Sequence, residues 1–377
     1  MSTLSNKLQS AACVILFVSA LVLSLSPGRL QAQSPKGITM NRVSNQKTSL
    51  SPITFIGRWA DISSNDAPAK LTIASGGSFR FKFTGSSVKL VFMPFTVDVA
   101  ALRPEISYVI DGKPPVRIPL EEELLLSNLE PGEHSLIVWV EGVAVPLNVR
   151  RWTCRQGVGL RSVQLAANGR LSAYPSGNSK RLLVIGDSIG EGLLMLGGTA
   201  WANYPKFANG RLNFGNQLGA RLRADVWFQC FGGAAIGKGF SDIPPAFDNY
   251  PFIFQGYAQQ DPAFDAVIIE AGHNDGSVAP AHFVESYKTL IDKVRKANPR
   301  AAIFLFPPLK PYAPGKFELV RAVATDKKCV FVDNHDWKVD APNDSHPSLK
   351  GHTQIAEYLT PIVGQALNGA EARNRTP

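Results

Sequence analysis

The stretch Arg181-Leu-Leu-Val-Ile-Gly-Asp-Ser-Ile-Gly190 constrains this chain more than any other. Residues 182–185 form a short apolar run bounded by basic residues and then by glycine, the pattern of a strand buried on both faces. Gly186 and Gly190 bracket Asp187 and Ser188, so the strand is expected to end in a tight turn that lifts Ser188 above the sheet edge. A serine at the carboxyl end of a buried strand is where an α/β enzyme presents a nucleophile. A serine that only caps the next helix is the alternative, and partners further along the chain decide between the two.

Those partners come in a regular rhythm. Strand candidates recur at 182–185, 226–230, 266–270, 302–306 and 329–332, with helix candidates between them. In the clearest helix, 281–297, Phe283, Tyr287, Leu290, Ile291 and Val294 fall on one face, and Asn298-Pro299 ends it. Five such units predict a parallel, doubly wound sheet with helices on both sides.

The front of the chain reads differently. Between residues 50 and 150 short strands follow one another, among them 70–74, 78–83, 88–92, 106–110 and 135–140. Several alternate apolar with polar, and Gly76-Gly77, Asp111-Gly112 and Pro131-Gly132 punctuate them. The stretch 157–173 adds one last strand or strand pair. The expected fold class is therefore α/β, with an N-terminal β-sandwich (jelly-roll-like) over 33–178 and a parallel-sheet domain over 179–370. Residues 371–377 are expected to be a flexible tail.

Residues 1–32 carry Lys7, a largely apolar, uncharged run from Ala11 to Leu25, then Pro27, Gly28 and the small Ala32. That is the layout of a secretory signal peptide, with a run too short for a confident membrane span. The expectation is a secreted or periplasmic protein with no stable membrane insertion after cleavage. Removing this segment takes two basic residues, Lys7 and Arg29, and no acid from a formal net charge of +9. The basic remainder suits anionic polysaccharide or simply solubility, and no block of like charge marks a nucleic-acid stripe. Cys154, Cys230 and Cys329 leave at least one thiol unpaired and show no metal-ligand spacing, so neither a metal nor a cofactor is expected.

Functional groups cluster at the carboxyl ends of successive strands. The second runs into Phe231-Gly-Gly-Ala-Ala-Ile-Gly-Lys-Gly239, the third into Ala271-Gly-His-Asn-Asp275, and the fifth is followed by Asn343-Asp-Ser-His-Pro-Ser-Leu-Lys-Gly-His352. Gly186-Asp187-Ser188, Ile236-Gly237, Gly272-His273-Asn274-Asp275 and His346-Pro347 with Gly351-His352 resemble the four blocks of the SGNH (GDSL-type) hydrolases. With the β-rich front half, the plan is similar to that of carbohydrate-esterase family two. The resemblance implies a flavodoxin-like domain and a serine esterase removing acetyl or other short acyl groups from carbohydrate, so an acetylated polysaccharide or another small acyl ester would be its partner. It implies Ser188 as nucleophile, His346 as base, and an oxyanion hole from the N–H groups of Ser188 and Gly237 and the amide of Asn274.

One departure stands out. The family usually has aspartate three residues before the histidine, and here that position is Asn343. Asp344, two before, is the expected orienting residue, with Asp340 or a Ser–His dyad as the alternatives. His273 is expected to shape its loop, His352 to start a helix, and His282 and His335 to lie at the surface. Asp333, His335 and Asp336 read as solvated loop, and Trp201, Tyr204 and Trp337 as sugar-stacking or core residues. Gly186-Asp-Ser-Ile-Gly190 also fits the α/β-hydrolase elbow, but that fold needs several sheet strands before the serine. A carbohydrate O-acyltransferase, a lipase or thioesterase of the GDSL type, and a non-catalytic carbohydrate-binding protein are the competing functions.

Overall fold

The computed structural model describes residues 38–39, 50–64, 67–94, 102–143, 151–153, 156–175, 177–198, 204–309, 315–342 and 346–374. The expected signal peptide and Cys154 lie outside the described residues, as do 375–377 of the expected tail. Residues 371–374 of that tail continue the last helix.

The front half is built from β1 (Ile38–Thr39), β2 (Thr54–Ile56), β3 (Ala60–Ser64), β4 (Ala67–Thr72), β5 (Ser78–Thr84) and β6 (Val88–Phe92). It continues through β7 (Glu105–Ile110), β8 (Val116–Pro119), β9 (Glu123–Leu126), β10 (Glu133–Gly142), β11 (Val158–Leu165) and β12 (Leu171–Ser172). One antiparallel sheet runs β1-β3-β4-β11-β6-β9, the other β12-β5-β10-β7-β8, with β2 also on β5. Alternation decides the packing. Phe79, Phe81 and Phe83 of β5 point inward with Leu136 and Val138 of β10, and meet Val88, Leu90, Val158 and Leu160 from the facing sheet.

The second half holds the parallel sheet: β13 (Lys180–Gly186), β14 (Ala224–Cys230), β17 (Ala266–Glu270), β18 (Ala302–Phe306) and β19 (Val330–Phe331), in the order β14-β13-β17-β18-β19. A small hairpin, β15 (Phe252–Phe254) and β16 (Tyr257–Ala258), intervenes in the chain. The first strand thus lies inside the sheet, second from its β14 edge, with the order reversing beside it, the doubly wound arrangement that the sequence predicts. Its helices are α1 (Tyr204–Phe207), α2 (Phe214–Leu222), α3 (Ala246–Asn249), α4 (Pro280–Ala297), α5 (Lys316–Asp326) and α6 (Leu349–Asn374). Leu182, Val184, Ile268 and Phe304 pack toward α2 and α6, while Leu183, Ile185, Val267 and Ile269 pack toward α4 and α5. Period-two burial on both faces explains why these strands read as continuous apolar runs.

The halves are joined more tightly than the sequence suggests, since Gly37–Pro377 is one compact unit. Ala60, Ile62, Ala69 and Leu71 of β3 and β4 share a core with Phe231, Ile243, Ile253 and Phe254. Buried Arg58 reaches from the front half to Asp261 at 2.7 Å and to the Tyr250 carbonyl at 2.9 Å. Buried Arg151 pairs with Glu191, just beyond the turn that carries Ser188.

Candidate active site

The turn after β13 is shaped by close approach rather than by backbone angle. A β-carbon on Gly186 would lie 2.7 Å from Glu270 Oε2, and one on Gly190 would lie 2.5 Å from Cys230 Sγ. Both strand neighbours therefore press on the turn, and only glycine leaves room. Ser188 stands half-buried between them, with His346 Nε2 at 2.9 Å from its Oγ. The structure brings these two side chains together although 158 residues separate them.

Asn343 and Asp344 lie outside the described residues. The alternative Asp340 accepts a hydrogen bond from Ser348 Oγ, and its backbone carbonyl takes the Ser348 N–H at 2.9 Å, so it holds the serine whose Oγ caps the start of α6 by accepting the Gly351 N–H at 3.2 Å. His352 lies in the first turn of that helix and is fully buried. Its Nδ1 accepts the Phe214 N–H at 3.1 Å, and its ring stacks on Phe214. Burial first, and then the neighbouring His346, lower its pKa to about 3, which excludes it as a second base.

The three expected oxyanion donors are not equally available. The Ser188 N–H has no acceptor among the described residues. Asn274 gives one amide hydrogen to Asp187 Oδ2 at 3.1 Å and the other to the Ala234 carbonyl at 2.9 Å. The Gly237 N–H donates to Asp275 Oδ1 at 2.8 Å, while Ile236 donates to Oδ2 at 2.9 Å. The cause is local. Asn274 and Asp275 lie on one 3-10 turn, His273–Asp275, which aims the carboxylate at two successive loop amides. Buried Lys316 adds a positive charge that favours the Asp275 carboxylate, while its Nζ donates to the Val278 carbonyl at 2.8 Å.

The remaining histidines divide. His335 is exposed, and exposed His282 donates Nε2–H to the Gly237 carbonyl at 2.8 Å. His273 is largely buried and its Nε2 accepts the Leu309 N–H at 2.9 Å, which ties the asparagine turn to the end of β18. Trp337 stacks on Tyr358 at 4.6 Å and packs against Phe306, a core role rather than a sugar platform. Trp201 and the side chain of Tyr204 lie outside the described residues.

Sequence reasoning missed the charged residues beneath the turn. Glu191 accepts the Gly232 N–H at 2.8 Å while paired to Arg151, linking the front half to the glycine loop. Glu270 ends a strand that is otherwise entirely apolar and fully buried. An acid closing such a run, two residues before Gly272, was the available signal.

Residues 184–354 match the model of the GDSL-like Lipase/Acylhydrolase family. The chain is 26% identical over 294 residues to Cellulase/esterase CelE of Acetivibrio thermocellus, an alignment covering 69% of this chain and 34% of that protein. It thus spans about a third of the length of that curated relative. In three dimensions it resembles a family two carbohydrate esterase from Clostridium thermocellum in complex with cellohexaose, with a TM-score of 0.66 and 22% identity, over 84% of this chain and 99% of that one. A family two carbohydrate esterase from Cellvibrio japonicus matches with a TM-score of 0.67 and 20% identity, over 84% and 95% of the two chains. At these identities the structural likeness establishes the fold, both halves included.

Proposed function

We propose, from the premise that residues 184–354 form a GDSL-like Lipase/Acylhydrolase domain, that this protein is a carboxylic ester hydrolase acting on short acyl esters of carbohydrate, acetyl above all. The observation that carries the reading is the 2.9 Å contact between His346 Nε2 and Ser188 Oγ at the carboxyl edge of the parallel sheet. His346 takes the hydroxyl proton as Ser188 Oγ attacks the ester carbonyl, then delivers it to the departing sugar oxygen. The same imidazole next activates water, which releases the acyl group from the serine. Asp344 orients the ring in this scheme.

The Ser188 N–H is the first oxyanion donor. Asn274 is the second, because a charged oxyanion is a stronger acceptor than the neutral Ala234 carbonyl it displaces. Gly237 is a weaker candidate than its place in the motif implies, since its N–H already serves a carboxylate. The carbohydrate reading draws support from CelE and from the family two carbohydrate esterases that share the fold. Export, to the outside or to the periplasm, draws support from the layout of residues 1–32.

The test is acetate release by residues 33–377 from acetylated xylan, acetylated glucomannan and acetylated peptidoglycan, alongside 4-nitrophenyl acetate and octanoate. Release from a glycan with preference for the acetate ester is expected. Preference for the octanoate with no acetate from any glycan would overturn the carbohydrate assignment.

A further inference from the structure

Beneath the nucleophile turn lie three side chains that the acyl-transfer steps leave unused. Gly186 is the register partner of Glu270 across β13 and β17, which folds the Glu270 carboxyl under the turn. His273 Nδ1 faces Glu270 Oε1 at 3.2 Å and Asp187 Oδ2 at 3.5 Å. The side chains of Asp187 and Glu270 are each 1% exposed and that of His273 10%. Among the described residues, both Glu270 oxygens and His273 Nδ1 lack a well-formed hydrogen bond. Asp187 is anchored, with Oδ1 accepting the Ile189 N–H at 3.0 Å and Oδ2 the Asn274 amide.

Two carboxyls and a histidine this close have the composition of a divalent-cation site. The histidine argues against one. Its Nε2 lone pair is taken by the Leu309 N–H, so the proton of the neutral ring sits on Nδ1, the atom a cation would need. Two buried carboxyls cannot both be ionised side by side without a compensating charge. The cluster must hold a second proton.

We propose that Glu270 and His273 are positioning residues for the Ser188 reaction: Glu270, as a buried neutral acid, and His273, through its Nδ1–H, keep Asp187 under the nucleophile turn and aimed at Asn274. This rests on the serine-hydrolase reading above. Burial, and then the Asp187 charge, push Glu270 up to about 7. Burial opposes a charge on His273, while Asp187 and Glu270 favour one. A proton added at Nε2 would meet the Leu309 N–H head-on, so it resides on Glu270 instead. Among the described residues, the other titratable groups acting on the cluster are Cys230, raised well above its ordinary value by burial and then by Glu270, Tyr287, raised well above its own by burial and then by Cys329 and Glu270, Asp275, raised by burial and more weakly by Asp187, and the Arg151-paired Glu191, also raised by burial and more weakly by Asp187. Cys230 and Tyr287 stay neutral through the range that matters. When Glu270 ionises, repulsion shifts Asp187 and with it the turn, so turnover falls as pH rises through about 7.

The experiment follows kcat and KM for 4-nitrophenyl acetate against pH in wild type, Glu270→Gln and Glu270→Ala. A fluorophosphonate probe titrates reactive Ser188, and infrared difference spectra of wild type against Glu270→Gln report a protonated carboxyl. Wild-type kcat should fall on the alkaline side near pH 7, and Glu270→Ala should lose about tenfold or more in kcat with little change in KM. Glu270→Gln should rescue most of that loss and abolish the alkaline fall, while the carboxyl C=O band present below about pH 7 should vanish above it. An alkaline fall that persists in Glu270→Gln, or no such band, overturns the proposal. Failure of the probe to label wild type would instead sink the serine-hydrolase reading, and the infrared band would still decide where the proton resides.

Discussion

Asp275 Oδ1 accepts the Gly237 N–H at 2.8 Å, so a carboxylate holds the backbone amide that the motif assigns to the oxyanion. Ile236 donates to the other oxygen of the same group, and the glycine loop is pinned at two successive residues. The finding shifts the expected weight of oxyanion binding onto Ser188 and Asn274.

Asn274→Ala is therefore expected to lower kcat by about 10²–10³ with little change in KM. Asp275→Asn keeps the shape of the tether and removes its charge, and should cost about tenfold or less. Steady-state kinetics on 4-nitrophenyl acetate compare the two. A larger loss in Asp275→Asn than in Asn274→Ala would contradict this division of roles.

Ser188→Ala and His346→Ala should each reduce turnover by about 10⁴–10⁶, and the double variant should be no worse than either single one, because the pair acts as a unit. Additive losses in the double variant would show that the two side chains work independently.

Asp344→Asn is expected to cost ~10–10⁴ in kcat, the span between an orienting group behind a dyad and a full triad member. Asp340→Asn should act on stability instead, through the Ser348 cap at the start of α6. Melting temperature and kcat measured on both variants separate the roles, and a crippled kcat in Asp340→Asn alone would reverse them.

Removing Arg151 leaves Glu191 as an uncompensated buried charge, so Arg151→Met should destabilise the protein by ~3–5 kcal/mol. Adding Glu191→Gln should recover part of that loss. Urea denaturation of both variants is the measurement, and an unchanged midpoint in Arg151→Met would show that the contact between the halves contributes little.

His352 supplies a pH dependence with a defined sign. Its pKa is lowered to about 3 in the fold, so the unfolded chain takes up a proton that the native state refuses. The contribution is fully present above the ordinary histidine value and is lost as pH falls from about 6.5 toward 3, on the order of 5 kcal/mol in all. Stability at pH 7 and pH 4, measured by denaturation, should drop less in His352→Gln than in wild type. Parallel drops would remove His352 as the cause.

The sequence by itself determined the elements and their kinds. Apolar runs closed by glycine marked the central strands, and the 3.6-residue spacing of Phe283, Tyr287, Leu290, Ile291 and Val294 marked α4, because burial on a face writes its period into the chain. It also placed Ser188 and Asn274 just past strand ends and His346 just ahead of the last helix. What only the tertiary structure decided is which side chains touch across strands. Parallel register sets Gly186 beside both Cys230 and Glu270, and that pairing turns an acid at the end of a strand into a buried neighbour of Asp187. The capture of Gly237 by Asp275 and the reach of Arg151 to Glu191 have the same origin. Partners 38 and 40 residues apart leave no period in the sequence, since sheet order and loop path select them.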